Sequence, residues 1–147
     1  MTQQEFKNQF EYTGLPFGMA SQALQWMHRN GVTSQDAINC NIKYAVVKEP
    51  GKPFIQKTVI GYTNTFVEAQ ILMRQSRDDE MSESMYRSTE LRYDTSTWCK
   101  VRTVKRGVGE INTYDFCIID IPYVLEQFEN QTEAYHIENT RKEERNS

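Results

Sequence analysis

Ile42 to Arg74 (IKYAVVKEPGKPFIQKTVIGYTNTFVEAQILMR) sets two β-forming runs around a Pro-Gly turn and follows them at once with a capped apolar helix. Ile42–Val47 and Phe54–Tyr62 are rich in β-branched and aromatic residues, so each reads as a strand. Glu49-Pro50-Gly51-Lys52-Pro53 is the strongest turn signal of the chain, and it folds the second run back antiparallel to the first. Thr63-Asn64-Thr65 offers N-cap side chains to a helix over Phe66–Gln75. Phe66, Ala69 and Met73 share one face of that helix, and Val67 and Ile71 are expected to widen it. A strand face that buries Tyr44, Val46 and Ile60 needs such a cover.

The remaining segments fit around this unit. Phe6 and Phe10, four apart, predict a short N-terminal helix that ends at Thr13-Gly14-Leu15-Pro16, although residues 1–14 could also be mobile. Met19–Asn30 carries good helix formers with Ala20, Ala23, Leu24 and Met27 on one stripe, stopped by Gly31. Thr33 or Ser34 then caps a short helix to about Cys40. Thr97–Arg106 and Ile111–Ile121 read as a hairpin of two more strands around Gly107-Val108-Gly109. Cys117–Ile119 is apolar on both faces, so the last strand should be central. Pro122 suits the first turn of a helix carrying Val124, Leu125 and Phe128.

The expected fold is therefore α+β: residues 1–137 form one domain with a mainly antiparallel four-stranded sheet. The helices, Met19–Asn30 and Phe66–Gln75 among them, are placed together on one face. The core is expected to hold Leu24, Val46, Ile60, Phe66, Ala69, Met73, Val101, Phe116, Ile118 and Leu125. Residues 138–147 are polar without periodicity and read as a disordered tail.

Composition narrows function mainly by exclusion. The 147 residues carry a formal net charge of −3, which has the wrong sign for a general nucleic-acid binder. Three cysteines, Cys40, Cys99 and Cys117, form no Cys-x-x-Cys pair and read as reduced thiols of an intracellular protein. His28 and His136 are far apart and have no cysteines at ligand spacing, so no metal and no cofactor is expected. The first residues lack the basic and apolar regions of a signal peptide, and no run approaches the ~20 apolar residues of a membrane span. A soluble, cytoplasmic protein without membrane contact follows as the expectation.

Two charged stretches stand out as binding candidates. Ser76–Thr89 holds Asp78, Asp79, Glu80 and Glu83. Three consecutive carboxylates project about 100° apart on a helix and cannot converge on one ion. They read instead as a solvated or partner-facing acidic surface. Trp98, Lys100 and Arg102 alternate on one strand face, with Lys105 and Arg106 at the turn. Cations interleaved with an aromatic ring are what a single-stranded nucleic-acid platform needs. The short helix after Gly31 offers Gln35, Asp36 and Asn39 without Arg or Lys, which argues against a DNA-reading helix.

No catalytic residue is assigned. An enzyme would use His28 or Asp120 in a concave pocket, yet no nucleophile–base spacing supports one. Asp115 and Asp120 lie five apart and point to opposite strand faces. The leading expectation is a non-enzymatic module that binds another protein, given an aromatic share of 12% that includes eight Tyr. Size and composition suit a viral or mobile-element accessory protein acting on a host protein, and a homo-oligomer is compatible. Single-stranded nucleic acid along residues 98–106 is the alternative, and a small enzyme the second alternative.

Overall fold

The computed structural model describes residues 1–14, 17–51, 55–82, 87–105 and 107–146. Three helices come first: α1 (Gln3–Phe10), α2 (Ala20–Arg29) and α3 (Ser34–Asn39). Then follow β1 (Tyr44–Pro50), β2 (Thr58–Thr63), α4 (Phe66–Glu80), β3 (Arg87–Asp94), β4 (Trp98–Lys105), β5 (Gly109–Asp120) and α5 (Ile121–Asn146). The strands form one antiparallel sheet in the order β2-β1-β5-β4-β3. The α+β class and the antiparallel sheet are as expected, and β5 is the middle strand.

Local signals set the boundaries. Thr2, Thr33 and Thr65 cap α1, α3 and α4 by accepting the N–H of Glu5, Asp36 and Glu68. Gly31 ends α2 at φ +89°, a left-handed conformation that costs glycine little. Gly107 and Gly109, at φ +83° and +95°, turn β4 into β5.

The sheet has a fifth strand, β3, where the sequence suggested a polar loop up to Thr89. Its stretch RSTELRYD lacks apolar alternation because it is an edge strand, and Leu91 packs against the core. Of the Pro-Gly turn, β1 absorbs Glu49 and Pro50, and Gly51 donates its N–H to the Thr113 carbonyl. Lys52, Pro53 and Phe54, the start of the expected second strand, lie outside the described residues. Within them, β2 begins at Thr58.

Helices cover both faces of the sheet, not one. On one face Phe6, Phe10, Leu24, Met27, Ala45, Val47, Ile121 and Leu125 pack together, joining α1, α2 and α5 to β1. On the other, α4 lays Ala69 and Met73 on Val46, Cys99, Val101, Phe116 and Ile118. Ala45-Val46-Val47 is a continuous apolar run for this reason: β1 is buried on both sides. Of the expected core, Ile60 and Phe66 are half-buried and the other eight residues are buried. Gly61 lets α4 approach β2, since a Cβ there would stand 2.9 Å from Leu72 Cδ2.

Two helices run further than expected. Phe66, Ala69 and Met73 do face the core, but Val67 and Ile71 are exposed, and α4 continues through Asp78, Asp79 and Glu80. At the C-terminal end, helix replaces the disordered tail expected over 138–147 up to Asn146; Ser147 lies outside the described residues. No Gly or Pro follows Pro122, and the stretch is rich in Glu, Gln, Arg and Lys. Glu138 and Lys142 pair at i, i+4 across 3.8 Å.

Candidate functional site

The strand register places chemistry-bearing side chains in two rows on the α1/α2 side of the sheet. One row is Glu49–Asp115–Lys100 across β1, β5 and β4, and the next is Val47–Cys117–Trp98. Trp98, Lys100 and Arg102 share this face because they alternate along β4. Asp115 ties the rows together: its Oδ1 accepts the indole N–H of Trp98 at 2.9 Å and stands 3.8 Å from Lys100 Nζ. The Lys100 ammonium also lies 5.5 Å from the Trp98 ring centroid.

At the β1 end of the row, Glu49 is buried, 6% exposed, and accepts the Ala20 backbone N–H at 2.9 Å. It thereby satisfies an N–H at the start of α2, where Met19 offers no capping oxygen and Gln22 Oε1 accepts the Met19 N–H at 3.3 Å. Burial pushes its carboxyl above the ordinary value, and neighbouring Asp115 adds to this. The Ala20 N–H and the charge of Lys57 oppose it. Lys57 is buried as well and donates to the Phe17 carbonyl at 3.3 Å; burial lowers its pKa.

The Cys99 and Cys117 thiols are poor nucleophiles. Burial pushes Cys117 up to about 12, with Glu49 and Asp115 adding to it, and pushes Cys99 up to about 11. Both stay protonated near neutral pH. Asp120 occupies a helix start, accepting the Tyr123 N–H at 3.2 Å. Glu49 and Asp120 thus each accept a backbone N–H at the start of a helix.

The acidic segment is divided among different roles. Asp78, Asp79 and Glu80 form the last turn of α4. Asp78 bridges Arg77 at 3.1 Å, and Asp79 is exposed. Glu80 bridges Lys48 at 3.0 Å, and that ammonium also sits 4.0 Å from the Tyr114 ring centroid. Glu83 and, on the basic strip, Arg106 lie outside the described residues; Lys105 is exposed at the end of β4.

A groove of about 500 Å³ opens between α2 and α5. Gln25, His28 and Arg29 line one side; Phe128, Gln131, Thr132 and Tyr135 line the other. Thr132 donates its hydroxyl proton to the Phe128 carbonyl at 3.0 Å. The same hydroxyl oxygen lies 2.9 Å from His28 Nε2, a hydrogen bond that links α2 to α5. The His28 ring stacks on Phe128 with centroids 6.1 Å apart. His28 does lie in a concave site, as an enzyme reading requires. Its Nε2 is committed to holding α2 against α5.

The chain matches no protein-family model, no curated protein and no solved structure. The longest element among the described residues is α5. At 26 residues it is about 39 Å long. Its first half is anchored: Ile121 and Leu125 are in the core, and Glu129 accepts both the Ser34 N–H and its hydroxyl at 2.7 and 2.9 Å. From Glu133 to Lys142 every side chain is exposed except Asn139, which is half-buried. Tyr135 is 66% and Ile137 47% exposed.

The sequence drew attention to Trp98, Lys100 and Arg102, which the fold brings together, and to Asp78–Glu80, which it divides. It passed over Arg29, Gln131, Tyr135 and Ile137. A signal for them exists. The apolar stripe Ile121–Leu125–Phe128 stops while helix-forming residues continue, which marks a helix that outruns its core. Among the described residues no group of His, Cys, Asp or Glu is arranged to hold a metal ion, and no helix is long and apolar enough to cross a membrane.

Proposed function

We propose that this chain is a non-catalytic binding module whose partner is another protein, engaged through the exposed second half of α5 and the groove at its root. The observation that carries the reading is the exposure of Tyr135 and Ile137 on a helix that has left its own core. Two residues apart, they point about 200° from one another around α5, Tyr135 into the α2–α5 groove and Ile137 to the other side, so the arm offers a partner an aromatic and an aliphatic contact on separate surfaces. The adjoining groove adds the donors of Arg29, Gln25 and Gln131 around the Phe128 ring. The engaged states of His28, Asp120, Glu49 and the thiols fit a non-catalytic role.

A photo-crosslinking amino acid at position 135 tests this in cell extract, with the same group at exposed Val108, on the β4–β5 turn, as control. The expected result is one dominant protein adduct specific to position 135, weakened at least about tenfold by Arg29→Ala on the facing wall of the groove, since a hydrogen bond to a charged group contributes about 1.5–3 kcal/mol. Equal labelling from both positions would remove the arm as a binding element.

A second reading, single-stranded nucleic acid, draws on the shared face of Trp98, Lys100 and Arg102. It is weaker because Asp115 takes the indole N–H and offsets the Lys100 charge. It predicts binding of a labelled oligonucleotide that falls steeply with salt and is lost in Trp98→Ala.

A further inference from the structure

We propose that Asn30 is a latent deamidation site: the folded end of α2 holds it unreactive, and opening of that end converts it irreversibly to aspartate or isoaspartate. The inference is independent of what the α5 arm binds.

Of the chain's asparagines, Asn30 alone is followed by glycine. Such a pair is reactive because glycine puts no side chain in the way of its own amide nitrogen. That nitrogen loses its proton and attacks Asn30 Cγ. The N–Cγ bond forms, the Cγ–Nδ2 bond breaks, and ammonia leaves with Nδ2 and the displaced proton. Water then opens the resulting cyclic imide at either carbonyl. Opening at Cγ gives aspartate; opening at the backbone carbonyl reroutes the chain through Cγ as isoaspartate. Both residues are exposed, and nothing lies within 4 Å of where a Gly31 side chain would stand, so water has access.

The fold withholds both reacting groups. Gly31 N–H donates to the His28 carbonyl at 3.0 Å and Val32 N–H to the Met27 carbonyl at 3.0 Å. These are the paired bonds that close a helix through a left-handed residue. The nitrogen that must attack is therefore engaged. The Asn30 side chain turns back along α2 and donates from Nδ2 to the Trp26 carbonyl at 2.8 Å. Val32 is buried in the α1/α2/α5 core and anchors the closure. Opening this end frees all three bonds together, and chain segments at element ends are where local opening costs least.

The products cannot rebuild the closure. Aspartate in place of Asn30 has no donor for the Trp26 carbonyl and sets a negative charge at the negative end of the helix dipole. Isoaspartate adds a methylene to the backbone between Met27 and Val32, so the paired bonds lose their register. The turn affected carries His28 and Arg29, one wall of the α2–α5 groove.

Timed incubation of the full chain at mildly alkaline pH, followed by peptide mass mapping and isoaspartate analysis, tests this. In denaturant Asn30 should convert faster than any other asparagine. In the native chain it should convert at least about tenfold more slowly than in denaturant, because the end of α2 must open first. Val32→Ala loosens the anchor without touching a reacting atom and should speed native conversion at least about fivefold. Ile118→Val, in the α4 core, should leave the native rate unchanged. Asn30→Asp makes the normally linked product directly, and its melting temperature should fall below that of wild type. Native conversion as fast as in denaturant overturns the protection, and denatured conversion no faster at Asn30 than elsewhere overturns the site. A native rate indifferent to Val32→Ala, or raised equally by Ile118→Val, overturns local opening. An unchanged melting temperature in Asn30→Asp overturns the effect assigned to the product.

Discussion

The Glu49 carboxylate reaches from β1 to the first turn of α2 and accepts the Ala20 backbone N–H at 2.9 Å. One side chain thus links the sheet to the helix that lines the groove. Glu49→Ala leaves a buried N–H without an acceptor and should cost about 1–3 kcal/mol. Glu49→Gln keeps an acceptor oxygen and should cost much less at neutral pH. Chemical denaturation of both variants measures the difference, and equal losses would show that the hydrogen bond is not what matters.

The same residue sets a pH dependence. Its folded-state carboxyl is held above the ordinary value of 4.5, with Asp115, Lys57 and the Ala20 N–H as the groups facing it. The folded chain therefore holds this proton more tightly than the unfolded chain. Its contribution is fully present below the unfolded value and is lost as pH rises through the folded one. Glu49→Gln lacks this dependence, so its stability relative to wild type should improve as pH climbs from 4.5. Parallel pH courses of the two proteins would contradict the burial argument.

Cys99 and Cys117 predict an alkaline limit. Their thiols ionise near 9 when unfolded and at about 11 and 12 when folded. Folded values above unfolded ones mean stability present below pH 9 and lost as pH rises beyond it. Iodoacetamide at pH 8 should label both slowly in the native chain and rapidly in denaturant. Prompt native labelling at either position, mapped by peptide mass, would show that its burial is wrong.

The two-sided sheet makes a prediction about additivity. Leu24 packs in the α1/α2/α5 core, and Ile118 in the α4 core across the sheet. Leu24→Ala should cost about 2–5 kcal/mol and Ile118→Val about 0.5–1.5. The double variant should lose their sum to within about 0.5 kcal/mol, because no shared cavity couples them. A single core on one face would instead couple the pair.

That two-sidedness was partly legible. The run Ala45-Val46-Val47 already lacks the polar alternation of a strand with one wet face, but a short apolar run fits a buried strand of either arrangement. Phe66, Ala69 and Met73 were readable as the inner face of α4. Val67 and Ile71 were not readable as outer, because helical periodicity alone does not say how wide the contact will be. The shared face of Trp98, Lys100 and Arg102 follows from period-two geometry. Their link to Asp115 needed the β4–β5 register, which sets Lys100 opposite Asp115. Glu49's hold on α2 joins residues 29 apart and has no local signature.

The division of the acidic segment gives the last prediction. Glu80 is half-buried and bridges Lys48, whose ammonium packs over Tyr114. Glu80→Lys would set two cations together between α4 and the sheet and should cost about 1.5–3 kcal/mol, since hydrogen bonds to charged groups are of that size. Asp79 is exposed on the same turn, so Asp79→Lys should stay within about 0.5 kcal/mol. Thermal denaturation of the two variants separates them. Reversing both charges together would therefore confuse a folding defect with a binding one. Asp79→Lys alone tests the acidic turn as a surface, and a binding loss in that variant, at unchanged melting temperature, would bring α4 back as a second contact beside α5.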